Sequence, residues 1–223
     1  MTLPRWIPLL LLGALVLGGC GKNAPLGHEK FVYNAIGASD ILGVGAFPLT
    51  DGYTFRIQDE LKDQGRNVAL FHIGLPSANT DIIANAVQMA ANNGLRAELA
   101  TVWVGTNDLV NGVPAETFAL HLHHLLSSVQ EEMGAYVVLA NIPSLPDLPS
   151  FIEKSLPEVT TDRVDQFNAV IKNQATARGI SVVDLTEDTI GGNLVSDFDG
   201  VHPDDDGHER LAKLFLNKIR PML

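Results

Sequence analysis

The chain has 223 residues, 46% hydrophobic and 18% charged, which suffices for one sizeable core and does not demand two. Its formal net charge of −11 argues against nucleic-acid phosphate as a partner. With Cys20 as its single cysteine, an internal disulfide is excluded.

In chain order, Arg5 supplies a short positive region, and Ile7 to Leu17 form an apolar stretch too short for a comfortable membrane span. Leu17-Gly18-Gly19-Cys20 closes it. This resembles a bacterial lipoprotein signal, which implies removal of residues 1–19, acylation of Cys20, and stable anchoring through two or more chains. Residues 20–29 are then the lipidated cysteine and a polar tether reaching about 30 Å at most. The expected location is the bacterial cell envelope, exported and lipid-anchored. By resemblance to lipoprotein sorting signals, the absence of Asp directly after Cys20 favours the outer membrane if the source is Gram-negative.

From Phe31 onward, strand and helix signals alternate. Phe31 to Gly37 reads as a buried strand that delivers Ser39, with glycines at 43 and 45 punctuating the exit. Tyr53 to Asp63 has helical spacing through Phe55, Ile57 and Leu61. Asn67 to Ile73 is a second strand, Thr80 to Asn92 a helix stopped by Gly94, and Glu98 to Val104 a third strand. A helix from Pro114 to about Met133 follows, then a fourth strand, Ala135 to Asn141. Asn141 to Thr161 carries Pro143, Pro146, Pro149 and Pro157 and reads as an irregular stretch bordering a cleft. Val164, Phe167, Ile171 and Ala175 mark a helix ended by Gly179, Ile180 to Asp184 a fifth strand, and Asp206 to Ile219 the last helix, with Leu211, Leu214 and Phe215 inward. Five apolar strands separated by helices predict an α/β fold with a parallel sheet covered on both faces.

Ser39 at a strand's carboxyl end is a candidate nucleophile if a base and oxyanion donors reach it. Asp199-Gly200-Val201-His202-Pro203 offers them: His202 takes the proton, and Asp199 orients the imidazole. Gly74, directly after the second strand, lets a backbone N–H approach substrate, and Asn107 in Gly105-Thr106-Asn107-Asp108 offers an amide, with the Ser39 N–H a third donor. Each alone also reads as a turn or a helix cap. The conjunction of Ser, Gly, Asn and Asp-x-x-His in this order carries the functional reading.

At this point residues 31–220 resemble the SGNH hydrolases, also called the GDSL esterase/lipase family. Gly37-Ala38-Ser39 with Gly43, Gly74, Gly105-x-Asn107-Asp108 and Asp199-x-x-His202-Pro203 are the matching blocks. The resemblance implies an SGNH hydrolase domain over 30–223, a three-layer α/β/α sandwich with a flavodoxin-like five-stranded parallel sheet. It implies the triad Ser39, Asp199 and His202 and an oxyanion hole of Ser39, Gly74 and Asn107. The implied reaction is hydrolysis of carboxylic esters or thioesters without cofactor or metal, the partners being an ester substrate and, through the N-terminal lipid, a membrane. One position departs: the family usually has Asp before the serine, and here Ala38 stands there with Asp40 after it. No Gly-x-Ser-x-Gly elbow is present, which argues against the common α/β-hydrolase fold.

Other residues compete. His208 could replace His202, but a surface or capping role in the last helix suits it better. Asp184 could replace Asp199, but a structural hydrogen bond is expected there. His121 and His124 share a helical face without an acidic ligand set. Asp204-Asp205-Asp206 suits a helix N-terminus. Trp103 and Phe71 read as core, and Phe47-Pro48-Leu49 either as packing or as an acyl-pocket lining. De-O-acetylation of envelope glycans is an alternative activity, and a non-catalytic ligand-binding lipoprotein is an alternative of another class.

Overall fold

The computed structural model describes residues 30–186 and 194–223. The expected signal, lipidated cysteine and tether lie outside these residues. Among the described residues, no helix is long and apolar enough to cross a membrane.

Five parallel strands, β1 (Lys30–Gly37), β2 (Asn67–Gly74), β3 (Leu99–Trp103), β4 (Tyr136–Ala140) and β5 (Ser181–Val183), form one sheet. Their order is β2-β1-β3-β4-β5, the flavodoxin-like arrangement. The inner strands β3 and β4 are buried on both faces, which is why they read as continuous apolar runs rather than as alternation. β2 is an edge strand, so Phe71, expected in the core, is 40% exposed there. Lys30 lies over its ring.

Helices cover both faces. α1 (Tyr53–Asp63) buries Tyr53, Ile57 and Leu61 at helical spacing and packs against the last helix, α7 (Asp205–Ile219). On the other face, α2 (Thr80–Asn92), α4 (Ala115–Ser127) and α6 (Thr161–Arg178) pack side by side. α4 runs into a π-helical turn, Ser128–Glu132, so the helix expected to reach Met133 changes its winding in its last turn. Phe118 of α4 stacks on Phe167 of α6 at 4.5 Å between ring centroids. Thr160 caps α6 by accepting from the N–H of Arg163, and Gly179, in the left-handed conformation, ends it.

The proline-rich stretch after β4 is more ordered than its sequence suggests. It forms a 3₁₀ turn at Leu145–Asp147 and a short helix, α5 (Pro149–Lys154), with Pro149 in the first helical turn. One further short helix, α3 (Thr106–Val110), follows β3 directly.

Candidate active site

The chain leaves β1 toward one edge of the sheet to form β2 and returns across it to form β3. The carboxyl ends of β1 and β3 therefore flank the topological switch point, where open α/β sheets form clefts. Ser39 follows β1 and Asn107 follows β3, and both line one cleft of about 160 Å³ together with His202.

Ser39 is the N-cap of a single 3₁₀ turn, Asp40–Leu42, and its carbonyl accepts from the N–H of Leu42 at 3.1 Å. The Ser39 hydroxyl lies 2.7 Å from Nε2 of His202. On the other side of the ring, Nδ1 lies 2.5 Å from Oδ2 of Asp199. Asp199 only accepts, so Nδ1 carries the proton and Nε2 is left to accept from the hydroxyl. The other Asp199 oxygen accepts from the N–H groups of Val201 and His202, at 2.9 and 3.0 Å. Partial burial pushes this carboxyl up, but the hydrogen bonds from the His202 ring and from these two N–H groups outweigh it. Asp199 ends below the ordinary carboxylate range.

The histidine loop is held from two directions. Leu194 to Asp204 folds back on itself through a bridge between Val195 and Pro203, with the N–H of Ser196 donating to the His202 carbonyl at 2.7 Å. From the serine side, Gly45 at φ +100° lies against it, and a Cβ there would come within 2.0 Å of the Pro203 carbonyl oxygen. Asp205 accepts from the N–H of Phe47 at 2.8 Å, tying the serine loop to the start of α7. Asp204 caps the same helix by accepting from Gly207, so the acidic run serves the helix start.

Asn107 donates from Nδ2 to the carbonyl of Ala78 at 3.0 Å, which fixes the orientation of its amide. The next residue, Asp108, is buried and accepts from both the N–H and the hydroxyl of Thr80, at 2.9 and 2.8 Å. Burial raises its carboxyl above the ordinary value against these hydrogen bonds. Together the two contacts clamp α3 to the start of α2.

Gly74 takes a different place from the one expected. It pairs in register with Gly37, and a Cβ on it would come within 1.8 Å of the Gly37 carbonyl oxygen. Its missing side chain thus serves the close approach of β2 to β1. The residues of this connection that line the cleft are Ser77, at φ +61°, and Ala78. The Ala78 N–H closes a turn by donating to Leu75. Of the three expected oxyanion donors, the cleft brings together Ser39 and Asn107.

His208 also differs from expectation. It is fully buried rather than at the surface. Its Nδ1 accepts from the N–H of Tyr53 at 3.2 Å, so Nε2 carries the proton and donates to the Val44 carbonyl at 3.0 Å. Burial lowers its pKa, which keeps the ring neutral. It braces the serine loop and does not face Ser39. The signal was available, because His208 falls on the same helical stripe as Leu211, Ala212 and Phe215.

Among the remaining candidates, Asp184 accepts from Asn141 at 2.8 Å and from Thr186, a structural role. Among the described residues, no group of three or more His, Cys, Asp or Glu is arranged to hold a metal ion. Phe47 and Leu49 point outward, 89% and 55% exposed. The apolar lining of the cleft instead includes Ile83, Val110, Leu145, Leu148 and Phe151. Trp103 is buried as expected but also borders the cleft.

A hydroxyl, an imidazole and a carboxylate in line at the switch point of a flavodoxin-like sheet define a serine hydrolase of the α/β/α class. Residues 35–210 match the GDSL-like lipase/acylhydrolase family, and the chain belongs to it. It is an enzyme that hydrolyses ester bonds. The lipase/acylhydrolase from Enterococcus faecalis shares the fold at 18% identity and a TM-score of 0.69, covering 86% of this chain and 96% of that one. The Clostridium thermocellum family 3 carbohydrate esterase matches at 17% identity and a TM-score of 0.67, covering 87% and 97%. The psychrotrophic esterase EstA from Pseudoalteromonas sp., inhibited by monoethylphosphonate, matches at 13% identity and a TM-score of 0.66, covering 85% and 97%. Comparison with curated protein sequences finds no match.

Proposed function

We propose that this protein hydrolyses carboxylic esters through an acyl-enzyme on Ser39. The hydroxyl–imidazole–carboxylate line, at 2.7 and 2.5 Å, carries the reading. Ser39 Oγ attacks the ester carbonyl carbon while its proton passes to His202 Nε2. The tetrahedral oxyanion forms near the Ser39 N–H and the Asn107 amide. Collapse expels the alcohol, which takes the proton from His202. Water then attacks the acyl-serine, giving a proton to His202, and the second collapse releases the acid and returns that proton to Ser39. Ala38 in place of the usual aspartate leaves this sequence intact, because Asp199 supplies the carboxylate.

The test is hydrolysis of p-nitrophenyl butyrate by the protein and by Ser39→Ala. Turnover lost in the variant is expected; equal rates in both would remove Ser39 from the mechanism.

A second reading, de-O-acetylation of envelope glycans, is supported by the likeness to a carbohydrate esterase. Acetylated oligosaccharides turned over faster than p-nitrophenyl acetate would favour it.

The location belongs to the same proposal. Arg5, the apolar stretch and Cys20 support lipid anchoring at the envelope. β1 starts at Lys30 and delivers Ser39 at its far end, so a tether ending at residue 29 meets the amino end of β1, opposite the catalytic cleft. Cys20→Ser should move the protein from the membrane to the soluble fraction, and unchanged membrane association would refute the anchor.

A further inference from the structure

We propose that the cleft beside Ser39, which Leu148 and Phe151 help to wall, limits the acyl group by its volume to about six carbons, making this a short-chain acyl esterase. This deepens the function proposed above and rests on acylation of Ser39.

The apolar lining of the cleft comes from both sides of β1. Ala78 and Ile83 follow β2 on one side, and Val110, Leu145, Leu148 and Phe151 come from the connections after β3 and β4 on the other. An alkyl chain bound to Ser39 is therefore held between them. The rest of the lining includes Asp40, Ser77 and Thr106, against which methylenes gain nothing.

The wall that follows β4 is fixed. Leu145 and Leu148 are each 1% exposed, so they belong to the core and not to a surface flap. The N–H of Ser150, at the start of α5, donates to the Gly200 carbonyl at 3.2 Å, inside the loop that carries Asp199 and His202. A Cβ on Gly200 would come within 3.0 Å of both Pro149 Cβ and Ser150 N. The wall and the catalytic base are therefore parts of one packed unit, and withdrawing α5 to admit a longer chain would disturb His202.

The volume sets the limit. The space measures about 160 Å³, and an apolar cavity of about 150 Å³ holds one benzene, six carbons. Each methylene buried should raise kcat/KM about fourfold until the wall is reached. Beyond it, further methylenes clash with the wall.

The experiment measures kcat/KM of the full chain in detergent for p-nitrophenyl esters from acetate to laurate, each below its aggregation concentration. The optimum should fall at butyrate or hexanoate, with at least a tenfold drop by decanoate. Phe151 is half-buried, so Phe151→Ala should fold and move the optimum to octanoate or beyond. Val110→Phe, which enlarges another side chain of the lining, should move it down to acetate or propionate. Decanoate or laurate turned over as well as butyrate by the parent would overturn the limit, as would an unchanged profile in both variants. In either of those cases, complete loss of turnover in Ser39→Ala would leave the serine mechanism standing, whereas residual turnover there would remove the mechanism itself. A parent that turns over none of these esters is tested with product acids: hexanoate raising the melting temperature while laurate does not supports the limit, and the reverse overturns it.

Discussion

The hydroxyl of Ser39 gains its reactivity from where two protons are held. Asp199 keeps one on Nδ1 of His202, and that leaves Nε2 free to accept from Ser39. An amide at position 199 would still accept from the N–H groups of Val201 and His202, but it could present a donor to Nδ1 and reverse the tautomer. Asp199→Asn should therefore lower kcat on the order of 10⁴-fold with little change in KM, as the corresponding change does in other serine triads. A burst-phase measurement would locate the loss in acylation; a fall below tenfold would mean that Asp199 does not set the tautomer. Asn107 acts on charge that appears only during reaction. Asn107→Ala should cost about 10²–10³ in kcat, again at nearly constant KM. An increase in KM with kcat unchanged would instead make Asn107 a ground-state binding residue.

At the scale of elements, the site depends on two loops held against each other. Gly45 lies where a side chain would meet the Pro203 carbonyl, and Asp205 and His208 of α7 hold Phe47 and Val44 from behind. A methyl group at 45 must displace the histidine loop as well as accept a left-handed backbone. Gly45→Ala should reduce kcat on the order of 10²-fold, the scale expected for a displacement of about 1 Å between nucleophile and base. The loss should appear equally in the rate at which a phosphonate ester labels Ser39, and a labelling rate equal to that of the parent would show that the loops do not constrain each other. These loops also mark where the sequence stops being readable. The strands and long helices follow from apolar period and glycine stops, and the serine, asparagine and Asp-x-x-His positions follow from their places after strands. Gly74 looks the same in sequence whether it faces substrate or another strand, and only the register with Gly37 distinguishes them. Ala78 carries no chemical signal at all, since its carbonyl is what Asn107 uses. The helix α5 was hidden by prolines that read as breakers, although Pro149 stands where a helix tolerates proline best.

For the whole molecule, the doubly wound topology leaves β2 as an edge strand held to α1 from one side, and a histidine sits in that contact. Thr54 of α1 donates its hydroxyl hydrogen to the Ile41 carbonyl, so at 2.9 Å it accepts from Nε2 of His72. The ring also lies 5.0 Å from that of Phe55. Burial lowers the pKa of His72 to about 4, from the ordinary 6.5. Between those two values the unfolded chain binds a proton that the folded chain does not, so stability falls as the pH drops from about 6.5 to about 4 and the contribution levels off below. His208 is shifted in the same direction by its burial. Asp40 and Asp108, raised by burial, act in the opposite sense near the bottom of this range, because the folded state there takes up protons first. The His72 contribution is isolated by His72→Gln, which keeps a donor for Thr54 and cannot titrate. Because the ring is partly exposed to water, its share is on the order of 2 kcal/mol rather than the full value of the shift. Urea denaturation at pH 7 and pH 4 should show the parent losing about that much more than His72→Gln. Equal losses in the two proteins would mean that His72 opens to solvent without unfolding, and that the junction between β2 and α1 is not where acid acts.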